Sequence, residues 1–177
     1  MRTVVTLILA AGLSVLPGLE RTACAARIST GLEYDLAIGD TENALGLYAS
    51  YFQEIDDLLG FELGLSYASG DFSVDEASGD YTRVGFDASL LFRFPGETYT
   101  TYLGAGTGYH LNNFDGIEVQ DKLSMLFQAG ANVDLTDSMD LHLNLRYRAL
   151  QPDTVSGPVD DVRMDALVVR VGVSWPL

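Results

Sequence analysis

Cysteine is almost missing from this 177-residue chain: the only one, Cys24, falls in an apolar N-terminal stretch that reads as a removable leader. The remaining chain then has no disulfide, no thiolate metal ligand and no thiol nucleophile. Positive charge is also scarce, with ten Lys and Arg against 25 Asp and Glu and a formal net charge of −15. That balance argues strongly against binding to a nucleic-acid backbone. Long apolar runs are lacking too, and nothing approaches the ~20 continuous apolar residues that a membrane-spanning helix needs. Histidine occurs only as His110 and His142, so acid–base chemistry has few candidate centres.

The leader is read from Met1-Arg2, the apolar stretch Val4 to Val15, the break at Pro17-Gly18 and the small residues Ala23-Cys24-Ala25. A positive start, a short apolar core and small residues before the cut are what a secretory signal peptide requires, and cleavage is expected after Ala25. Lipidation of Cys24 fits poorly, because Arg21 stands where that processing site takes a leucine-like residue. The predicted organisation is residues 1–25 as leader and 26–177 as one domain.

From Arg27 onward apolar and polar residues alternate with period two, in eight segments of about ten residues. The segments are Ile28–Ile38, Ala44–Phe52, Leu59–Ser69, Tyr81–Phe94, Tyr99–Tyr109, Val119–Val133, Leu141–Arg148 and Met164–Trp175. Alternation is clearest in the seventh, where Leu141, Leu143, Leu145 and Tyr147 interleave with His142, Asn144, Arg146 and Arg148. It is weakest in the second, where Tyr48 and Phe52 fall on the otherwise polar side. The links near Gly39, Gly70, Leu111 and Gln151 read as mostly the longer and more acidic ones, the first barely longer than the first short turn, and the acidic residues of the loops include Asp71, Asp75, Glu76, Asp80, Asp115, Glu118, Asp153, Asp160 and Asp161. The links 53–58, 95–98 and 135–138 read as short turns, the alternation expected of a transmembrane β-barrel.

The location of the charges decides which solvent the apolar face meets. Glu33, Asp35, Glu62, Arg83, Asp87, Arg93, Lys122, His142, Arg146, Arg148 and Arg170 share the polar parity, where opposite charges can pair across a narrow interior. Leu, Val, Phe and Tyr fill the other parity, with Tyr34, Tyr67, Tyr99, Tyr109, Tyr147 and Trp175 near segment ends where aromatic girdles lie. Asp165 is the exception on the apolar parity. The predicted fold is all-β, an eight-stranded antiparallel up-and-down transmembrane barrel with a charge-paired interior too narrow for a general diffusion pore. A two-sheet sandwich with packed apolar faces shows the same parity and is the soluble alternative.

Three stretches carry a likeness to a known family: Tyr102-Leu103-Gly104-Ala105-Gly106-Thr107-Gly108-Tyr109, Leu145-Arg146-Tyr147-Arg148 and Val171-Gly172-Val173-Ser174-Trp175. With them the chain resembles the small eight-stranded bacterial outer-membrane barrels, including the transmembrane domain of outer membrane protein A and the opacity-type surface proteins. The resemblance implies residence in the bacterial outer membrane, contact with its lipid and lipopolysaccharide, and a last strand read by the barrel assembly machinery, with Trp175 in the apolar register. Function is the less legible part. A structural or surface-interaction role leads, because no cofactor motif, metal motif or catalytic constellation stands out. Asp71, Asp75 and Asp80 lack the spacing and glycine of a calcium loop, and a ligand for the acidic loops stays unassigned. An enzyme that hydrolyses lipid A acyl chains is the alternative, but its family places a serine two residues beyond the histidine, where this chain has Asn112 after His110. His142 and the serines Ser66, Ser89 and Ser124 read as lumen filler.

Overall fold

The computed structural model describes residues 25–74, 77–116, 118–119, 121–150, 154–156 and 162–177. The leader, and the acidic residues Asp75, Glu76, Asp153, Asp160 and Asp161, lie outside the described residues. Among the described residues ten strands follow one another: β1 (Ala26–Ala37), β2 (Thr41–Glu54), β3 (Leu59–Val74), β4 (Ala77–Pro95), β5 (Tyr99–Phe114), β6 (Glu118–Val119), β7 (Lys122–Thr136), β8 (Met139–Ala149), β9 (Thr154–Ser156) and β10 (Ala166–Pro176). Eight of them form one closed antiparallel barrel in the order β1-β10-β8-β7-β5-β4-β3-β2, while β6 and β9 pair as a small separate sheet. Closure removes both free edges and rules out the sandwich.

The pairing register fixes the size of the cylinder. From Tyr34 one level runs through Leu45, Ser69 and Thr82 to Asn113 on β5. In the other direction it runs through Val169, Leu145 and Ala129 to Leu103, also on β5. The two arrivals are ten residues apart, which is the stagger of the barrel. Eight strands with that stagger tilt by about 40° and enclose a backbone radius of about 8 Å, just enough for inward side chains to meet.

Outward residues of the wall are apolar on every barrel strand, and Leu32, Leu45, Leu90 and Leu123 are each more than half exposed. Many inward residues are polar and buried, among them Ser29, Glu33, Asp35, Glu62, Arg83, Asp87 and Arg170. At the tilt above, roughly ten residues cross a 25 Å apolar band, whereas β3, β4 and β5 have 16, 19 and 16. Their excess projects beyond the end opposite the chain termini, the outer end.

Three sequence expectations change here. Residues 71–74 and 77–80 of the acidic stretch that read as a loop continue the β3–β4 ladder, with Asp71 opposite Asp80 and Phe72 opposite Gly79. Strand β5 likewise continues to Phe114. Val119 leaves the sixth segment for β6, which pairs with β9. The reason is a change of phase: above the membrane Phe72, Tyr81, Phe114, Leu150, Val162 and Met164 point inward as an apolar cluster, and Asp71 and Asp80 point outward. Asp165 precedes β10, so the strand parity does not govern it, and its carboxylate is buried.

Tyr48 and Phe52, the anomalies of the second segment, are inward. Tyr48 covers the β1–β10 seam, where a Cβ on Gly172 would lie 2.1 Å from the Thr30 carbonyl oxygen and 2.5 Å from the Tyr48 hydroxyl. Only glycine permits this approach of backbone and ring. Gly172→Val should therefore prevent closure and abolish the heat-dependent shift on a detergent gel, while outward Val171→Leu retains it; retention of the shift by Gly172→Val would refute the seam argument.

Candidate functional site

The site that the topology assembles is the lumen. Its middle holds a continuous ion chain drawn from five strands. Arg148 of β8 donates to Asp35 of β1 at 2.9 Å, and Asp35 accepts from Arg83 of β4 at 2.8 Å. Arg83 also donates to Glu33 at 2.6 Å, and Glu33 accepts from Arg170 of β10, also at 2.6 Å. Arg170 reaches Asp87 at 3.4 Å, and Asp87 accepts from Arg146 at 2.5 Å. Arg146 ends the chain on Glu62 of β3 at 2.8 Å and on Gln128 of β7.

Four guanidiniums and four carboxylates therefore share the centre, and their formal charges cancel. Each is at most 5% exposed in its side chain. Ions so buried are tolerable only when paired and hydrogen-bonded. The planar guanidinium suits the task, because its fork can serve two carboxylates at once.

Other expected members sit apart from this chain. Arg93 is at the periplasmic rim, where it pairs with Glu54 at 2.7 Å and lies 5.3 Å from the centre of the Phe52 ring. Arg27 pairs with Asp140 at the same rim. Lys122 is half-buried at the start of β7, near the outer rim. His142 belongs to a polar cluster below the ions: its Nδ1 lies 2.8 Å from the Asn132 side-chain oxygen, and Tyr102 accepts from Asn144 at 2.9 Å.

Above and below the ions the lumen is blocked by apolar groups. Phe72, Tyr81, Phe114, Leu150, Val162 and Met164 close the outer end, and Phe52, Leu91 and Tyr102 narrow the inner one. A free space of about 10 Å³ beside Glu62, Tyr102, Asn132 and His142 has room for about one water molecule.

One pairing escaped the sequence reading. His110 and Ser124 come from β5 and β7, and their Nε2 and Oγ atoms are 2.7 Å apart. Only the register could reveal it, since His110 stands opposite Lys122, two residues from Ser124. The Asp87 carboxylate approaches the same Nε2 at 3.9 Å, whereas Nδ1 has no protein partner among the described residues. A relay needs the acid on one ring nitrogen and the nucleophile on the other. With both on one nitrogen, and all three side chains sealed inside the lumen, the set does not form a hydrolytic triad.

The model of the outer membrane protein β-barrel domain family matches residues 4–175. The chain belongs to that family. Its place is thus the bacterial outer membrane. This outer-membrane barrel is similar to the crystal structure of OprG from Pseudomonas aeruginosa, with a TM-score of 0.73 and 14% identity over 88% of this chain and 96% of that one. It is also similar to AlkL, solved by solid-state NMR in DMPC bilayers, with a TM-score of 0.65 and 18% identity over 92% and 94% of the two chains. Ail from Yersinia pestis, in complex with the heparin analogue sucrose octasulfate, gives 0.60 and 18% over 87% and 99%. At these identities the likeness is one of fold. No curated protein matches the sequence.

Breaking the ion chain at its best-connected member should be costly. Arg146→Ala leaves Glu62 and Asp87 short of a partner inside the lumen, a change worth about 3–5 kcal/mol by analogy with other buried pairs. Arg163→Ala at the exposed outer rim should lower stability less, and equal losses in urea unfolding from vesicles would contradict the inward assignment of Arg146.

Proposed function

We propose that this barrel is a closed wall element of the outer membrane, with a structural or surface-interaction role and no general diffusion path. The observation that carries the reading is the lumen itself, filled in sequence by an apolar outer cluster, a neutral ion chain and an apolar inner constriction. An ion crossing it would have to displace side chains that are held to one another, and ion-chain members such as Arg83 are completely buried. The acyl-hydrolase alternative is not favoured, since the His110 and Ser124 pair is enclosed and wrongly connected.

The sulfated sugar bound to Ail is not carried over to this chain. Outer residues such as Asp71, Asp80, Asp115 and Glu118 would repel a polyanion at the crown. The leader is proposed to be cut after Ala25, which leaves β1 whole from Ala26. Lipid and lipopolysaccharide on the outward face, and the barrel assembly machinery during insertion, are the proposed partners.

Two measurements test this. Purified barrel in planar bilayers should give no steady porin-like conductance, and a stable open channel in the wild-type protein would overturn the closed-lumen reading. Mass spectrometry of protein extracted from outer membranes should find Ala26 at the N-terminus; a retained leader would refute the proposed cut.

A further inference from the structure

Every basic residue among the described residues except one occupies the inward register. Arg27, Arg83, Arg93, Lys122, Arg146, Arg148 and Arg170 all face the lumen side, and Arg163 alone faces outward, with half of its side chain exposed. Its position is the outer edge of the apolar wall, next to the outward residues Leu36 and Ile38, which are 39% and 51% exposed. That is the height at which a lipid leaflet changes from chains to phosphates.

Exposed arginines ordinarily move among many rotamers, and holding one still costs entropy. Arg163 is held at several points. Its backbone N–H donates to the Asp40 carboxylate at 2.8 Å, and its carbonyl accepts from the Asp40 N–H at 2.7 Å. The stem lies against Gly39, where a Cβ would be 3.1 Å from Arg163 Cγ. Its Nε donates to Asp165 at 2.6 Å. Asp165 is fixed in turn, accepting from the Leu150 N–H at 2.9 Å. The anchoring to Asp165 uses Nε, and half of the side chain remains exposed.

We infer that Arg163 is a preorganised contact for a lipid-borne phosphate of the outer leaflet, foremost that of lipopolysaccharide. The fork geometry matches phosphate oxygens, and preorganisation reduces the cost of binding. Asp40 and Asp165 weaken the attraction for an anion, and both already accept from neighbouring donors, Asp40 from the Arg163 N–H and Asp165 from the Leu150 N–H and Arg163 Nε. The inference rests on the membrane-inserted reading above.

The test reconstitutes the full-length protein into phosphatidylcholine vesicles, alone or with lipopolysaccharide, dephosphorylated lipopolysaccharide or phosphatidylglycerol, and reads the temperature at which the compact gel form is lost. Lipopolysaccharide should raise the midpoint and its dephosphorylated form should not. Arg163→Gln should need about fivefold more lipopolysaccharide for half the rise, the scale of one exposed ion pair, and Arg163→Lys should lie between. A rise with phosphatidylglycerol that also requires Arg163 extends the ligand to any lipid phosphate; one confined to lipopolysaccharide narrows it to that source. An undiminished rise in Arg163→Gln, or an equal rise with the dephosphorylated lipid, overturns the inference. If the wild type has no compact form even in phosphatidylcholine, the barrel reading itself fails, which is a separate result.

Discussion

Four guanidiniums and four carboxylates occupy the middle of a cylinder about 8 Å in radius, and the equality of their numbers is what permits the rest of this fold. An eight-stranded wall leaves no room for a bulk-water channel, so charges that point inward must neutralise one another. Desolvation makes such a network a weak source of stability, yet an expensive one to break on one side only. The glycines opposite the long side chains follow from the same constraint, because Tyr48 can cover the seam only where Gly172 offers no Cβ. The closed lumen, the neutral centre and the tolerance for ions in a membrane protein are thus consequences of one limit on width.

The wall also meets two solvents, and the chain changes phase between them. Within the apolar band, leucines face out and ions face in. Beyond it, Phe72, Tyr81 and Phe114 face in while Asp71 and Asp80 face out. No break in the strands accompanies the switch, since the ladder of β3 and β4 continues through it. The membrane boundary is therefore written in the hydrophobic phase rather than in a turn. An exposed, positioned arginine at that same boundary is in keeping with a surface fitted to lipid on one side and water on the other.

Much of this was legible in the sequence because a period of two is a direct record of which face a residue occupies. Strand β8 shows it best: His142, Asn144, Arg146 and Arg148 all turned out inward, as their parity required. What parity cannot record is height along the barrel or which strand lies across the lumen. Arg93 has the same parity as Arg83 but sits at the rim, so it pairs with Glu54 instead of joining the central chain. The outer cluster was missed for a different reason. Acidic residues between Phe72 and Tyr81 suggested a hydrated loop, although those two aromatics keep the inward alternation. Leu91 and Leu126 show the limit of a polar-in rule, since both fill the lumen as apolar residues.

The ion chain has one more property, visible when its members are sorted by their order of synthesis. The strands made first, β1, β3 and β4, contribute all four carboxylates and a single guanidinium, Arg83. The strands made last, β8 and β10, contribute only guanidiniums, Arg146, Arg148 and Arg170. The early half-shell is thus negative on its concave side and the late half-shell positive. Two early halves would repel one another, whereas an early and a late half attract, so the charges favour joining the two complementary half-shells.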